Sequence, residues 1–197
     1  WASEMCIRDR MRTIPGMTII NPADDVEARA AVKAAAAFEG PVYLRFGRLA
    51  APIFNDPATY TFTLGKGITL KEGSDVTIVA TGLMVSEALE AAKRLEADGI
   101  SARVLNIHTI KPLDTELICR AAQETGLLVT VEEHSIIGGL GAAVAEAVTS
   151  CCPVPVVRIG VNDVYGYSGP AVDLLKEFGL CKENIVDTVK EAMAKKH

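Results

Sequence analysis

Residues Leu127 to Ala147 constrain the fold more than any other stretch: an apolar, β-rich run, three polar side chains, a glycine turn and an alanine-rich helix. Leu127–Val131 has the composition of a strand buried on both faces of a parallel sheet, and it is expected to stop at Glu132, Glu133 and His134, which read as a polar loop. Gly138, Gly139 and Gly141 permit a close approach into the helix that follows from Ala142. Such a strand needs neighbours, and the flanking text supplies them. Val76–Ala80, Ala102–Ile107 and Pro155–Ile159 read as further core strands, with Gly65–Lys71 as a short edge strand. Between and after them lie helices over Val85–Ala97, Asp114–Gln123, Pro170–Phe178 and Lys182–Lys195. In the first, Val85, Leu89, Ala92 and Leu95 recur at spacings of three and four, an apolar stripe. Strand and helix alternating with short connections predict an α/β fold, a mostly parallel sheet between helices wound with right-handed crossovers.

The front of the chain is smaller. Met17–Ile20 and Pro41–Phe46 read as two strands around a helix from Ala23 to Phe38, with Asn21 as its N-cap, Pro22 at the first helical position, and Asp24 and Asp25 near the positive end of the dipole. Two strands and one helix cannot bury their faces alone, so residues 11–48 read as a partial α/β unit whose front is missing. Residues 49–64, with two prolines and no sustained period, read as a linker to the unit at 65–197. Residues 1–10 follow neither period. The string Met5-Cys6-Ile7-Arg8-Asp9-Arg10 resembles a translated sequencing adaptor, so these residues are expected to be non-native or disordered and the native chain to start near Met11.

Composition removes several functions. A formal charge of -5 without a basic cluster argues against nucleic acid or an anionic membrane surface as partner. No apolar run approaches the roughly 20 residues of a membrane-crossing helix. The five cysteines, Cys6, Cys119, Cys151, Cys152 and Cys181, form no C-x-x-C pair. They read as reduced, mostly buried thiols of a cytoplasmic protein.

Few residues are placed for chemistry. Gly139-Leu140-Gly141 with Asp163 imitates a dinucleotide fingerprint, but Val144 stands at the third glycine position and the strand end is too distant for the tight turn. Ser168-Gly169 lacks the strand-turn-helix setting of a nucleophile elbow, and no metal-ligand spacing occurs. No catalytic residue and no metal ligand is therefore assigned. His108 and His134 each follow a strand and would share one edge of the sheet, where structural or interface roles outnumber catalytic ones. Glu132 and Glu133 should point in opposite directions, being neighbours in an extended run. Arg45 and Arg48, three apart at a strand end, also diverge, and at least one faces the strand-end crevice. There an arginine binds phosphate or carboxylate, or makes a salt bridge between units.

Four ordered blocks carry a resemblance: Ile14-Pro15-Gly16-Met17-Thr18-Ile19-Ile20-Asn21-Pro22-Ala23-Asp24, Gly40-Pro41-Val42-Tyr43-Leu44-Arg45-Phe46-Gly47-Arg48, Asn106-Ile107-His108-Thr109-Ile110-Lys111-Pro112-Leu113-Asp114 and Glu132-Glu133-His134-Ser135-Ile136-Ile137-Gly138-Gly139-Leu140-Gly141. Together they resemble the transketolase family, and the match is nearest to the separate C-terminal subunit of split transketolases. Deoxyxylulose-phosphate synthases and the β subunits of 2-oxoacid dehydrogenases share the layout. The resemblance implies that residues 11–48 end a pyrimidine-binding domain and that 65–197 form the family's C-terminal domain. It implies transfer of a two-carbon ketol unit between sugar phosphates, in the pentose phosphate pathway, by a complete enzyme using thiamine diphosphate and Mg2+, neither expected to bind this chain alone. It implies an N-terminal subunit as partner and a dimer or other homo-oligomer formed through the C-terminal domain. Only Arg48 matches a family position implicated in holding the sugar phosphate. Glu132, Glu133, His134 and His108 would mark a contact edge facing another domain or subunit. The alternative is a non-catalytic assembly module.

Overall fold

The structure, a computed structural model, describes residues 7–47, 49–166 and 168–196. A two-turn helix α1 (Ile7–Thr13) crosses the start expected at Met11 and leads into strand β1 (Thr18–Ile20), helix α2 (Asp25–Ala37) and strand β2 (Val42–Leu44). Helix α2 begins later than expected. Its N-cap is Asp24, not Asn21, with the side chain accepting from the Glu27 backbone N–H. The sequence Asp24-x-x-Glu27 has the spacing of a capping box, and the carboxylate satisfies an otherwise orphan donor of the first turn.

The rest of the chain continues as β3 (Ile68–Lys71), β4 (Val76–Ala80), α3 (Met84–Ala97), β5 (Ala102–Asn106), β6 (Thr109–Lys111), α4 (Thr115–Thr125), β7 (Leu128–Ser135), α5 (Leu140–Cys151), β8 (Val156–Val161), α6 (Ala171–Glu177) and α7 (Lys182–Lys195). Five strands form one sheet in the order β3-β5-β4-β7-β8. Only the edge pair β3–β5 is antiparallel; the other pairs are parallel. The expected sheet between helices is therefore present. Its strands alternate between two cores. On one face Val76, Ile78, Val129 and Val131 pack with Val85, Ala88, Ala92 and Leu95 of α3 and with Ile185 and Val189 of α7. On the other, Val79 and Leu128 meet Ile118 and Ala122 of α4 and Leu140 and Val144 of α5. Each fully buried aliphatic side chain of this size contributes about 1.5–3 kcal/mol relative to exposure. Helix α4 ends at Gly126, whose φ of 65° is the left-handed cap that favours glycine.

A second sheet joins the front of the chain to the remainder. Its order is β2-β1-β6, with β1 parallel to β2 and antiparallel to β6. Strand β6, unrecognised in the sequence because it is three residues long, thus completes the sheet that the N-terminal segment begins. Arg12 reinforces the attachment by donating to the Gly138 carbonyl at 3.1 Å and pairing with Glu146. Lys111 donates back to the Arg12 and Ile14 carbonyls at 2.9 and 2.7 Å.

The cysteine expectation needs correction. Cys119 of α4 and Cys151, the last residue of α5, form a disulfide across a Cα–Cα distance of 6.1 Å. Their partnership comes from the packing of α4 on α5, and a separation of 32 residues carries no spacing signal. Cys152 and Cys181 are free and partly buried, and Cys6 lies outside the described residues. No helix among the described residues is long and apolar enough to cross a membrane.

Candidate functional site

Strand β7 runs four residues past the expected stop, so Glu132, Glu133 and His134 lie in the strand and not in a loop. All three are buried. Burying two carboxylates is costly unless each is matched, and the surroundings supply the matches. The Glu132 carboxylate sits at the N-terminus of α5 and accepts the backbone N–H groups of Leu140 and Gly141, both at 2.8 Å. The helix dipole adds to these bonds. Residue 139 must be glycine for the same reason: a Cβ there would stand 2.1 Å from Glu132 Oε2. Gly141 is also close-packed, a Cβ there standing 2.8 Å from the Arg158 and Thr130 side chains, and Gly138 has a φ of 74°.

Glu133 points the opposite way, as strand alternation requires, toward the N-terminal segment. Arg45, itself buried, donates through Nη2 to the Glu133 carbonyl at 3.1 Å, and its Nη1 lies 3.5 Å from Glu133 Oε2. Both side chains are only 8% exposed. The guanidinium left open between two roles in the sequence therefore makes a buried ion pair across 88 residues of chain. Arg48, the expected phosphate ligand, lies outside the described residues. The His134 Nδ1–H donates to the Ser135 carbonyl at 2.8 Å.

His108 stands just beyond β5, fully buried, with Nδ1 2.9 Å from the Thr109 hydroxyl and its ring 4.3 Å from the Phe62 ring centroid. Nε2 has no hydrogen-bond partner among the described residues. Burial pushes the imidazole pKa down to about 4, against a weaker opposing pull from Asp114. Below about pH 6.5 the unfolded chain takes up a proton that the folded one refuses until about pH 4. Stability is thus expected to fall by about 3 kcal/mol as pH drops through that window, and to depend on His108 no further below it. Urea unfolding of the wild type and His108→Gln at several pH values tests this. Identical pH slopes for the two between pH 6.5 and 4 would refute it.

A further cluster escaped the sequence reading. Asp24 accepts the N–H groups of Phe54 and Asn55 at 3.1 and 2.9 Å as well as that of Glu27. Glu27, fully buried, accepts from the Ala23 N–H at 2.6 Å, from Asn106 Nδ2 at 2.9 Å and from the Tyr60 hydroxyl. Desolvation raises the Glu27 pKa, opposed by those hydrogen bonds and aided by the nearby Asp24 charge. Residues 54–60 are thereby tied to the start of α2 and the end of β5. The one available signal was the capping-box spacing; Tyr60 and Asn106 join Glu27 from 33 and 79 residues away.

These carboxylates are engaged in fixing the fold, and no group of three or more His, Cys, Asp or Glu among the described residues is arranged to hold a metal ion. What they build is a rigid junction between the N-terminal segment and the carboxyl end of the five-stranded sheet, the position where open α/β sheets meet ligands and partners.

Comparison with known proteins agrees with this layout. The family described as "Transketolase, C-terminal domain" matches residues 65–185, and "Transketolase, pyrimidine binding domain" matches residues 6–53. The chain is 48% identical to the 6-deoxy-6-sulfo-D-fructose transketolase subunit SqwH of Clostridium sp. (strain MSTE9) over 187 residues, 95% of this chain and 58% of that protein. It is 44% identical to an apulose-4-phosphate transketolase subunit of Phocaeicola vulgatus, over 94% of this chain and 59% of that one. The solved structure of a split-gene transketolase, an inactive beta4 tetramer, superposes with a TM-score of 0.92 at 48% identity, covering 98% of this chain and 62% of that one. The chain spans less than two thirds of the length of these relatives. With two adjacent segments matched in order and a shared fold over nearly its whole length, the chain belongs to the thiamine-diphosphate-dependent transketolase family.

Proposed function

We propose that this chain supplies the end of the pyrimidine-binding domain (residues 11–48), a linker (49–64) and the C-terminal domain (65–197) of a transketolase that moves a two-carbon ketol unit between anionic sugars. The observation that carries this reading is the match to two consecutive transketolase segments within one chain, at 48% identity to a transketolase subunit. Thiamine diphosphate, with Mg2+, supplies the carbanion chemistry when bound to the complete enzyme. Binding of that pair is assigned to the remaining part of the pyrimidine domain and to an N-terminal subunit, as the resemblance implies. The relatives are named for a sulfonated fructose and for a sugar phosphate, so the proposed substrate class is ketoses bearing a terminal anion, broader than pentose phosphates.

Within the assembly, Arg48 binds the terminal anion of the sugar. Arg45 and Glu133 join the segment after β2 to the C-terminal domain, and Glu132, His134 and His108 mark the edge of the sheet beside that junction. The chain by itself is inactive and self-associates through its C-terminal domain; that the similar solved structure is an inactive tetramer favours this.

Reconstitution tests the proposal. The chain is extended with a complete pyrimidine domain and mixed with an N-terminal transketolase subunit, thiamine diphosphate and Mg2+. Ketol transfer from xylulose 5-phosphate or 6-deoxy-6-sulfo-D-fructose to an aldose phosphate is expected. In that enzyme Arg48→Ala should raise KM for the anionic ketose about 10-fold or more while leaving that for an uncharged ketose nearly unchanged. No transfer with any of these donors, in a folded and assembled complex, would leave the non-catalytic module as the reading, and equal KM effects would remove Arg48 from anion binding.

A further inference from the structure

The two neighbouring glutamates of β7 are matched very differently. Glu132 has both carboxylate oxygens engaged, Oε2 by the Leu140 N–H and Oε1 by the Gly141 N–H, each at 2.8 Å. Glu133 has less. Its Oε2 is buried and forms no hydrogen bond among the described residues, and the Arg45 guanidinium stands 3.5 Å away as countercharge. A buried pair of this geometry is a poor source of stability, since two apolar side chains of similar volume would avoid the cost of desolvating both charges. What the pair does supply is a fixed position. Strand β2 ends at Leu44, and one further bond, from the Arg45 N–H to the Ile20 carbonyl at 2.9 Å, continues its pairing with β1. From there the chain leans on Glu133. Arg45 Nη2 donates to its carbonyl at 3.1 Å, Nη1 faces its carboxylate, and a Cβ at Gly47 would stand 3.7 Å from Oε2, an ordinary contact distance. Residues 45 and 47 thus both meet one glutamate of the C-terminal domain, and the next residue in the sequence is Arg48.

We propose that Arg45 and Glu133 are positioning residues for recognition of the substrate's terminal anion: through the Glu133 carboxylate, the C-terminal domain sets the backbone at 45–47 and with it the point from which Arg48 acts. This rests on the role of Arg48 proposed above. A displacement of about 1 Å at a group that orients substrate can cost on the order of 100-fold in rate, so a contact made two residues away is close enough to matter.

The reconstituted enzyme tests it with two donors, 6-deoxy-6-sulfo-D-fructose and an uncharged ketose. Arg45→Met/Glu133→Leu, which keeps the volume and loses the charges, is expected to raise KM for the sulfonated ketose about 10-fold, with kcat and the KM for the uncharged ketose within about twofold of wild type. Glu133→Gln, nearer in shape, should move the same KM in the same direction, and it carries the test if the double variant does not fold; thermal melts verify folding of each. In an Arg48→Ala background these substitutions should add nothing, because the group they position is gone. Equal rises in KM for both ketoses, or no rise for the sulfonated one, overturn the positioning role, while a selective effect of Arg48→Ala alone keeps the anion-binding reading. Effects of the pair and of Arg48 that multiply also overturn it. If Arg48→Ala has no selective effect, both readings fall together.

Discussion

Glu133→Ala is expected to cost about 3–5 kcal/mol of folding stability, because it leaves the buried Arg45 guanidinium without its countercharge in a place water does not reach. Removing both charges is a different matter. In Arg45→Met/Glu133→Leu the two apolar side chains fill similar volume with nothing to desolvate, and most of the loss should be recovered. The coupling from a double-mutant cycle, read by urea denaturation, measures the pair. Additive losses, with the double variant least stable of all, would mean that the two side chains do not act as a pair. The result also locates the junction: a cooperative transition should persist in the double variant, since backbone pairing of β1 with β6 joins the same parts.

Reduction of the Cys119–Cys151 disulfide is expected to lower stability by about 3–4 kcal/mol, the chain entropy released when a loop of this separation opens in the unfolded state. For a chain of this size that corresponds to a fall in Tm of several degrees. Cys151 is exposed, so a small dithiol reaches the bond without prior unfolding. Thermal melts with and without dithiothreitol, with Cys119→Ser/Cys151→Ser as reference, provide the measurement. If the oxidised protein, the reduced protein and the double variant melt together, the bond does not staple α4 to α5 in solution.

Much of the sheet was legible in the residues because its signals are local. Val76–Ala80 and Lys182–Lys195 fell where periodicity put them, since an all-apolar strand and an amphipathic helix carry their burial in their own text. Strand β7 was drawn four residues short because Glu132-Glu133-His134 reads as a water-facing run. Its charges are met from elsewhere, Glu132 by the first N–H groups of α5 and Glu133 by ion pairing with Arg45. Direction was recoverable: the two glutamates diverge, as alternation along a strand predicts. Identity of the partner was not. The same limit explains Asn21, taken as the cap of α2 although Asp24 fills that role, and Glu27, whose partners Tyr60 and Asn106 arrive from distant segments. Cys119 and Cys151 belong with them, brought together by helix packing alone.

Strand β6 gives the stretch at 49–64 a mechanical character that its composition conceals. A segment with two prolines and no period resembles a pivot, yet it runs in parallel with other load paths. β6 is laddered to β1, Arg45 grips Glu133, Lys111 holds the carbonyls of residues 12 and 14, and Asp24 and Glu27 fasten residues 54, 55 and 60. Force or strain arriving at the front of the chain is therefore shared among backbone ladder, ion pair and polar clasp before it reaches that peptide. The covalent connection here is a strut within a truss, and the two ends of the molecule are built to move as one piece.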